Sequence, residues 1–226
     1  MSGQLALGLR LRDGSSFENF LPGPNREALE AVRAAKATAA VYLWGEAATG
    51  KTHLLEAACR QAQAEGRAPA YVPLRDKGAL SPAMLEDLDT ALVCLDDLEA
   101  IAGDAAWERA LFRLWESRRG QPGALLMTAA VPPARLGFQL PDLMTRLASA
   151  SVYALKPLDD DGKIEALRLR ARHRGFDLGE EVARYMLNRY PRDLGSMFAL
   201  LERIDAASLA QQRRVTIPFL RTLEDH

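Results

Sequence analysis

Gly45-Glu46-Ala47-Ala48-Thr49-Gly50-Lys51-Thr52 has two glycines, a lysine and a threonine at the spacing that wraps backbone N–H groups around a polyphosphate. The glycines allow the tight turn, and a helix starting at the end of the loop would offer the anion the positive end of its dipole. In such a cradle Lys51 reaches the β- and γ-phosphates as a point charge, and Thr52 places its hydroxyl on a magnesium ion. Ala48, Thr49, Gly50 and His53 belong to the same nucleotide-contacting stretch, which opens at Gly45. Asp96-Asp97 closes the apolar run Ala91-Leu92-Val93-Cys94-Leu95. There Asp96 would hold magnesium through water and Asp97 would orient an attacking water. Alone, two carboxylates after a strand read as a turn; with the cradle upstream they read as the second half of a site for ATP or ADP with magnesium.

The elements that would position these groups are visible on both sides of them. Ala40-Val41-Tyr42-Leu43-Trp44 is a short run of strand formers before the loop, and Leu54, Leu55, Ala58 and Ala62 recur at helical spacing after it. Further strands are expected over residues 70–74, where Pro73 points to an end or edge position, and over 91–95, 124–128 and 151–155. Asp104 can cap a helix whose Trp107, Leu111, Leu114 and Trp115 form one stripe, with Gly120 as its stop. The alanine-rich stretch 28–40 reads as ordinary helix. Strands alternating with helices argue for a parallel sheet covered on both faces. After Lys156-Pro157-Leu158-Asp159 the pattern turns helical throughout, with helices expected from about residue 160 to Gly175, from Glu180 to Asn188 and from Asp193 to Gln211. A short last helix is capped by Thr216. The expected architecture is therefore an α/β nucleotide-binding core over residues 13–156, a small all-helical lid over 157–226, and a short N-terminal peptide over 1–12.

With 226 residues, 48% of them hydrophobic, the chain is long enough for one such core and a lid. Its 29 basic and 30 acidic residues nearly cancel, which argues against a dedicated duplex-DNA binder. No apolar run approaches the ~18 residues of a membrane span, and no secretory signal is present. The expected compartment is the cytoplasm. Cys59 and Cys94 fall on apolar faces and read as reduced, buried thiols, and His53, His173 and His226 are too scattered for a zinc site.

Several segments together resemble the DnaA-related AAA+ family and, within it, the short Hda branch. Phe17-Glu18-Asn19-Phe20-Leu21-Pro22-Gly23-Pro24-Asn25 looks like the family's N-terminal box, which implies that Phe17 and Phe20 lie along the adenine. Thr128 stands where the family has its first polar sensor. Leu140-Pro141-Asp142-Leu143-Met144-Thr145-Arg146-Leu147 looks like the segment carrying the arginine finger, which would be Arg146. Arg192, in Pro191-Arg192-Asp193-Leu194, would be the second sensor. The DNA-reading domain that DnaA carries after its lid has no counterpart here, so no direct sequence-specific DNA binding is expected, and the Hda branch fits better. Gln4-Leu5-Ala6-Leu7-Gly8-Leu9 resembles a sliding-clamp-binding peptide, with Gln4 at the mouth of the clamp pocket and Leu5, Leu7 and Leu9 as apolar anchors.

The resemblance implies action in trans. Arg146 would complete the active site of ATP-loaded DnaA and stimulate its hydrolysis, with the chain docked on the DNA polymerase III β sliding clamp of a bacterial replisome, so that initiation is switched off. Self-association is left open. Where DnaA-like proteins place Asp-Arg before the proline pair, Ala130 and Val131 stand here, which predicts weak or absent hydrolysis by the chain itself. Two other readings stay open: an autonomous ATPase, and a replisome adaptor that does not stimulate DnaA.

Overall fold

The computed structural model describes residues 14–35, 39–211 and 214–224. Two compact units divide them. One holds residues 14–17 and 25–156, and the other holds 18–24 and the chain from 157 onward.

The first unit is an α/β layer structure. In chain order it runs α1 (Arg26–Ala34), β1 (Ala40–Trp44), α2 (Lys51–Ala64), β2 (Pro69–Pro73), β3 (Leu92–Asp96), α3 (Ala105–Ser117), β4 (Ala124–Ala129), α4 (Pro141–Ala148) and β5 (Ser151–Ala154). All pairings in the sheet are parallel, in the order β2-β3-β4-β1-β5. Burial explains the composition of the strands: every residue of β3 and β4 is buried, as expected of central strands covered on both faces. β2 is an edge strand, which tolerates its two prolines. One face packs Tyr42, Val93, Leu95, Leu125 and Met127 against Leu111 and Leu114 of α3 and Leu143 and Leu147 of α4. By the two-residue period of a strand, Cys94, Asp96, Leu126 and Thr128 project to the opposite face.

The alanine-rich helix is shorter than its composition suggests, because α1 closes at Ala34 and Ala40 already belongs to β1. Short 3-10 turns over Leu74–Ala79, Pro82–Leu85 and Leu98–Ile101 fill the connections, and periodicity gave no sign of them. Asp104 caps α3 by accepting from the N–H groups of Ala106 and Trp107. Gly120 lies beyond that helix, which ends at Ser117. Asn25 binds the far end of the unit with both halves of its amide, donating to the Lys156 carbonyl at 2.9 Å and accepting from the Lys156 N–H at 2.8 Å.

The second unit is helical, with α5 (Asp160–His173), α6 (Glu180–Arg189), α7 (Leu194–Gln211) and α8 (Ile217–Glu224). Ile164, Leu167, Val182, Met186, Met197, Leu201, Ile204 and Phe219 form its core. Three of these helix starts are those that short polar residues dictate, while α6 follows Gly179 without a side-chain cap. Asp159 accepts from the Gly162 N–H, Asp193 from Ser196 and Thr216 from Phe219. Among the described residues, no helix is long and apolar enough to cross a membrane.

Candidate nucleotide site

The loop after β1 is built around Gly45. Its N–H donates to the Ala129 carbonyl at 3.3 Å, and a Cβ at this position would lie 2.4 Å from the carbonyl oxygen of Leu155, so any side chain would displace backbone. Gly50 at φ +96° and Ala48 at φ +61° both take the left-handed conformation. Glycine adopts it freely, whereas for alanine it stores about 1 kcal/mol or more, a strain common where backbone is shaped for a ligand. Thr49 steadies the turn by donating to the Glu46 carbonyl at 2.9 Å. α2 begins at Lys51, so the N–H groups of its first turn have no acceptor within the helix.

Lys51 folds back into the hollow and is 8% exposed. Its ammonium donates to the carbonyls of Gly45 at 2.7 Å and Glu46 at 2.8 Å. Burial pushes its pKa below the usual lysine value, and the charges of Glu99, Asp97 and Asp96 partly offset this. The ammonium is thus held at the loop by two neutral acceptors that a phosphate oxygen can outcompete.

Asp96, at the carboxyl end of β3, is buried and meets three hydroxyls. Thr52 donates to its Oδ2 at 2.8 Å, Tyr71 to the same oxygen at 2.7 Å, and Thr128 to its Oδ1. Register explains the convergence. Asp96 follows Leu95, which pairs with Met127, so Thr128 comes alongside it; Pro73 pairs with Asp96, so Tyr71 lies on the same face one strand over. Tyr71 was not among the sequence-expected site residues, and its tyrosine-in-a-strand pattern gave no reason to include it. Burial and the Asp96 carboxylate push its phenol well above the usual tyrosine range, so it acts here as a neutral donor. A threonine hydroxyl beside a buried carboxylate is a hard-oxygen donor pair of the kind magnesium takes.

Asp97 heads the next turn in the left-handed region, at φ +60°. Its N–H donates to the Thr128 hydroxyl at 3.0 Å, and its Oδ2 pairs with Nε of Arg75 at 3.0 Å. Burial, then the neighbouring Asp96 charge, raise its pKa above the usual aspartate value, while Arg75 works against the rise. Glu99 accepts from the Ala130 N–H at 3.2 Å, and Tyr42 donates to the Val131 carbonyl at 2.8 Å. These two bonds hold the turn after β4, where the expected Asp-Arg is replaced.

α4 carries Arg146, whose Nε lies 2.9 Å from Oε1 of Glu116 on α3. The two atoms are close but not aligned as a hydrogen bond. About a third of each side chain is exposed, 34% for both. Entry to α4 is held from below by Glu108, 1% exposed. Its Oε1 accepts from the Gly103 N–H at 2.8 Å, and its Oε2 from the N–H groups of Gln139 and Leu140 at 2.9 Å each. Leu140, the residue before the helix, has no side-chain oxygen with which to cap it, and Glu108 does this work from α3.

Residues 160–223 match the family described as Hda, lid domain. Domain III of the Thermotoga maritima replication initiation protein DnaA superposes with a TM-score of 0.77 at 19% identity, covering 93% of this chain and 96% of that one. The helical unit thus matches the Hda lid family, and the chain shares the fold of DnaA domain III. Two further structures share the fold. A replication initiator DnaA bound to AMPPCP and single-stranded DNA gives 0.71 at 20% identity, over 90% of this chain and 69% of that one. The Thermotoga maritima RuvB Holliday junction branch migration motor gives 0.66 at 19%, over 95% and 72%.

Within the α/β unit, Gly45, Ala48, Thr49, Gly50, Lys51, Thr52, Asp96, Asp97 and Thr128 gather at the carboxyl ends of β1, β3 and β4. His53 lies one residue into α2 beyond them, with Nε2 at 2.8 Å from the Ser16 carbonyl, so it ties the segment before α1 to the cradle. Phe17 is buried with the Arg33 guanidinium over its ring, 5.1 Å from the centroid. Phe20 is buried and falls with the helical unit. Arg192, at the start of α7, pairs with Asp160 at 2.9 Å across the lid's own helices. Gln4, Leu5, Leu7 and Leu9 lie outside the described residues.

Proposed function

We propose that this chain is a regulator of replication initiation. It holds ADP or ATP with magnesium at the Gly45–Thr52 loop and lends Arg146 to the triphosphate of ATP-loaded DnaA, so that DnaA reverts to its ADP form. The carrying observation is the state of Arg146, which sits on α4 with a third of its side chain open beside an unaligned Glu116 carboxylate that is itself about a third exposed. Such a pair contributes about 0–1 kcal/mol, small against the stabilisation that an arginine gives a transferring phosphoryl group. The guanidinium can therefore leave Glu116 for a phosphate at little cost.

Lys51, Thr52 and the loop N–H groups bind the phosphates, and the Thr52 hydroxyl with the Asp96 carboxylate receives the magnesium ion, which supplies charge neutralisation between phosphate oxygens. Thr128 orients Asp96. Bound nucleotide serves this chain chiefly as a stabilising ligand, with its own hydrolysis slow; a hundredfold excess over the dissociation constant adds about 2.7 kcal/mol to stability. Docking of residues 4–9 on the DNA polymerase III β sliding clamp would confine the action to DNA being replicated, through the raised local concentration that a multivalent ring provides.

Removal of the buried ammonium tests the nucleotide half of this reading. Lys51→Ala should weaken ATP and ADP binding by about a hundredfold, as expected for loss of a charge-assisted contact worth about 3 kcal/mol. Titration calorimetry reads this, and wild-type affinity in the variant would refute the site. The regulatory half is tested by hydrolysis of DnaA-bound ATP in the presence of clamp and DNA, with and without Arg146.

A further inference from the structure

α6, α7 and α8 leave between them an open cleft of about 760 Å³, within the size range of ligand pockets. Leu220, fully buried, and the half-buried Leu200 and Leu223 give it an apolar floor. Arg203, Ala206 and Ala207 of α7 line one wall at i, i+3 and i+4, so the helix offers the cleft two small side chains that a second backbone can approach closely. Leu209, on the following turn, is 80% exposed and continues the apolar surface along the helix. Charge on α7 is sorted by face. Its acids Glu202 and Asp205 turn toward α5, where Arg174 takes them at 2.6 and 3.2 Å. Arg203 stands on the cleft side and has no acidic partner among the described residues. Arg189, at the end of α6, adds a second guanidinium to the exposed rim. The cleft is therefore apolar at its base and cationic at its edge, although the whole chain carries a formal net charge of -1.

We propose that this cleft is a docking site for an acidic amphipathic helix of a partner protein. Apolar side chains at i, i+3, i+4 and i+7 of such a helix lie over Leu200, Leu220 and Leu223 against the small wall, and the aspartates or glutamates beside them meet Arg203 and Arg189. Charge complementarity at the rim sets the orientation and rejects basic helices, while the apolar floor supplies the driving force. An open cleft suits a helix, whose outer face stays in water, better than an acyl chain, whose whole length must leave it. All the residues concerned belong to the helical unit, so docking here needs no bound nucleotide.

The probe is a fluorescently labelled synthetic helical peptide of about 14 residues, with leucine at those four positions and glutamate on both flanks, titrated onto the full chain by anisotropy. A twin peptide carries lysine in place of glutamate. The acidic peptide should bind saturably, and the twin at least about tenfold more weakly. Arg203→Glu should weaken the acidic peptide by about tenfold and favour the twin. Ala206→Phe, at an exposed position, should fill the wall and abolish binding of both, with the melting temperature unchanged. Where Ala206→Phe perturbs the fold, the reversal of preference in Arg203→Glu carries the test by itself. Equal affinity for the two peptides, affinity untouched by Arg203→Glu, or no binding of the acidic peptide overturns the proposal. A wild-type dimer in sedimentation that Ala206→Phe dissolves also overturns it, since a second copy is then the occupant. Saturable binding of dodecanoate in place of the peptide does so too, and makes the cleft a site for a carboxylate amphiphile.

Discussion

Arg146→Ala should lose stimulation of DnaA-bound ATP hydrolysis by about a thousandfold, toward the lower end of the 10³–10⁵ range that an arginine supplied in trans contributes to phosphoryl transfer. The chain's own fold should hardly respond. The side chain's partner in the structure is Glu116, both groups are a third exposed, and such a pair carries about 0–1 kcal/mol. Arg146→Lys should rescue poorly, because an ammonium lacks the planar fork that can bridge two phosphate oxygens. The measurement is release of labelled phosphate from ATP-loaded DnaA mixed with clamp, DNA and each variant. Gln4→Ala belongs in the same assay, since it should lose stimulation on clamp-loaded DNA while keeping whatever remains without clamp. Equal stimulation by wild type and Arg146→Ala would remove the trans-acting arginine from the account and leave a replisome adaptor as the better reading.

Glu108→Ala should cost about 3 kcal/mol in folding stability, the upper range for loss of hydrogen bonds to a charged acceptor. Three backbone N–H groups, those of Gly103, Gln139 and Leu140, lose their acceptor at once, in bonds that are all partly buried. Glu108→Gln should fall between, because the amide keeps one oxygen but turns an NH₂ toward donors. Chemical denaturation reads the loss. A milder consequence follows for function. The two bonds to Gln139 and Leu140 fix the approach to α4, so a folded Glu108→Gln protein should present Arg146 less accurately and stimulate DnaA less, with nucleotide affinity unchanged. A loss below about 1 kcal/mol in Glu108→Ala would mean that water or neighbouring groups replace the carboxylate.

Part of the candidate site was legible in the sequence. Gly45, Gly50, Lys51 and Thr52 mark a candidate phosphate loop because the chemistry is local: the glycines, the lysine and the helix start must be contiguous to work. Asp96 and Asp97 announce themselves for a similar reason, since the end of an apolar strand is where a buried scaffold delivers polar groups. The caps Asp104, Asp159, Asp193 and Thr216 were legible too, because a cap acts within three residues of itself. Tyr71, Arg75 and Glu108 carried no comparable mark. Tyr71 and Arg75 act on Asp96 and Asp97 on the neighbouring strand and turn, and two of the three bonds of Glu108 reach 31 and 32 positions along the chain.

What the amino-acid order determined by itself was therefore the local grammar: which segments are strands, where the helices after Asp159 start, and that a tight glycine loop joins β1 to α2. The tertiary structure decided which of the strands became neighbours. A parallel sheet joins strands distant in sequence, and its order β2-β3-β4-β1-β5 cannot be inferred from any local pattern. That order places β4 between β1 and β3, bringing Thr128 onto Asp96, and sets β2 beside β3, bringing Tyr71 onto Asp96 and Arg75 onto Asp97. The physical reason is that hydrogen-bond register between non-consecutive strands is set by packing of both faces at once, and a one-residue slip would turn Asp96 from its hydroxyl partners into the apolar face.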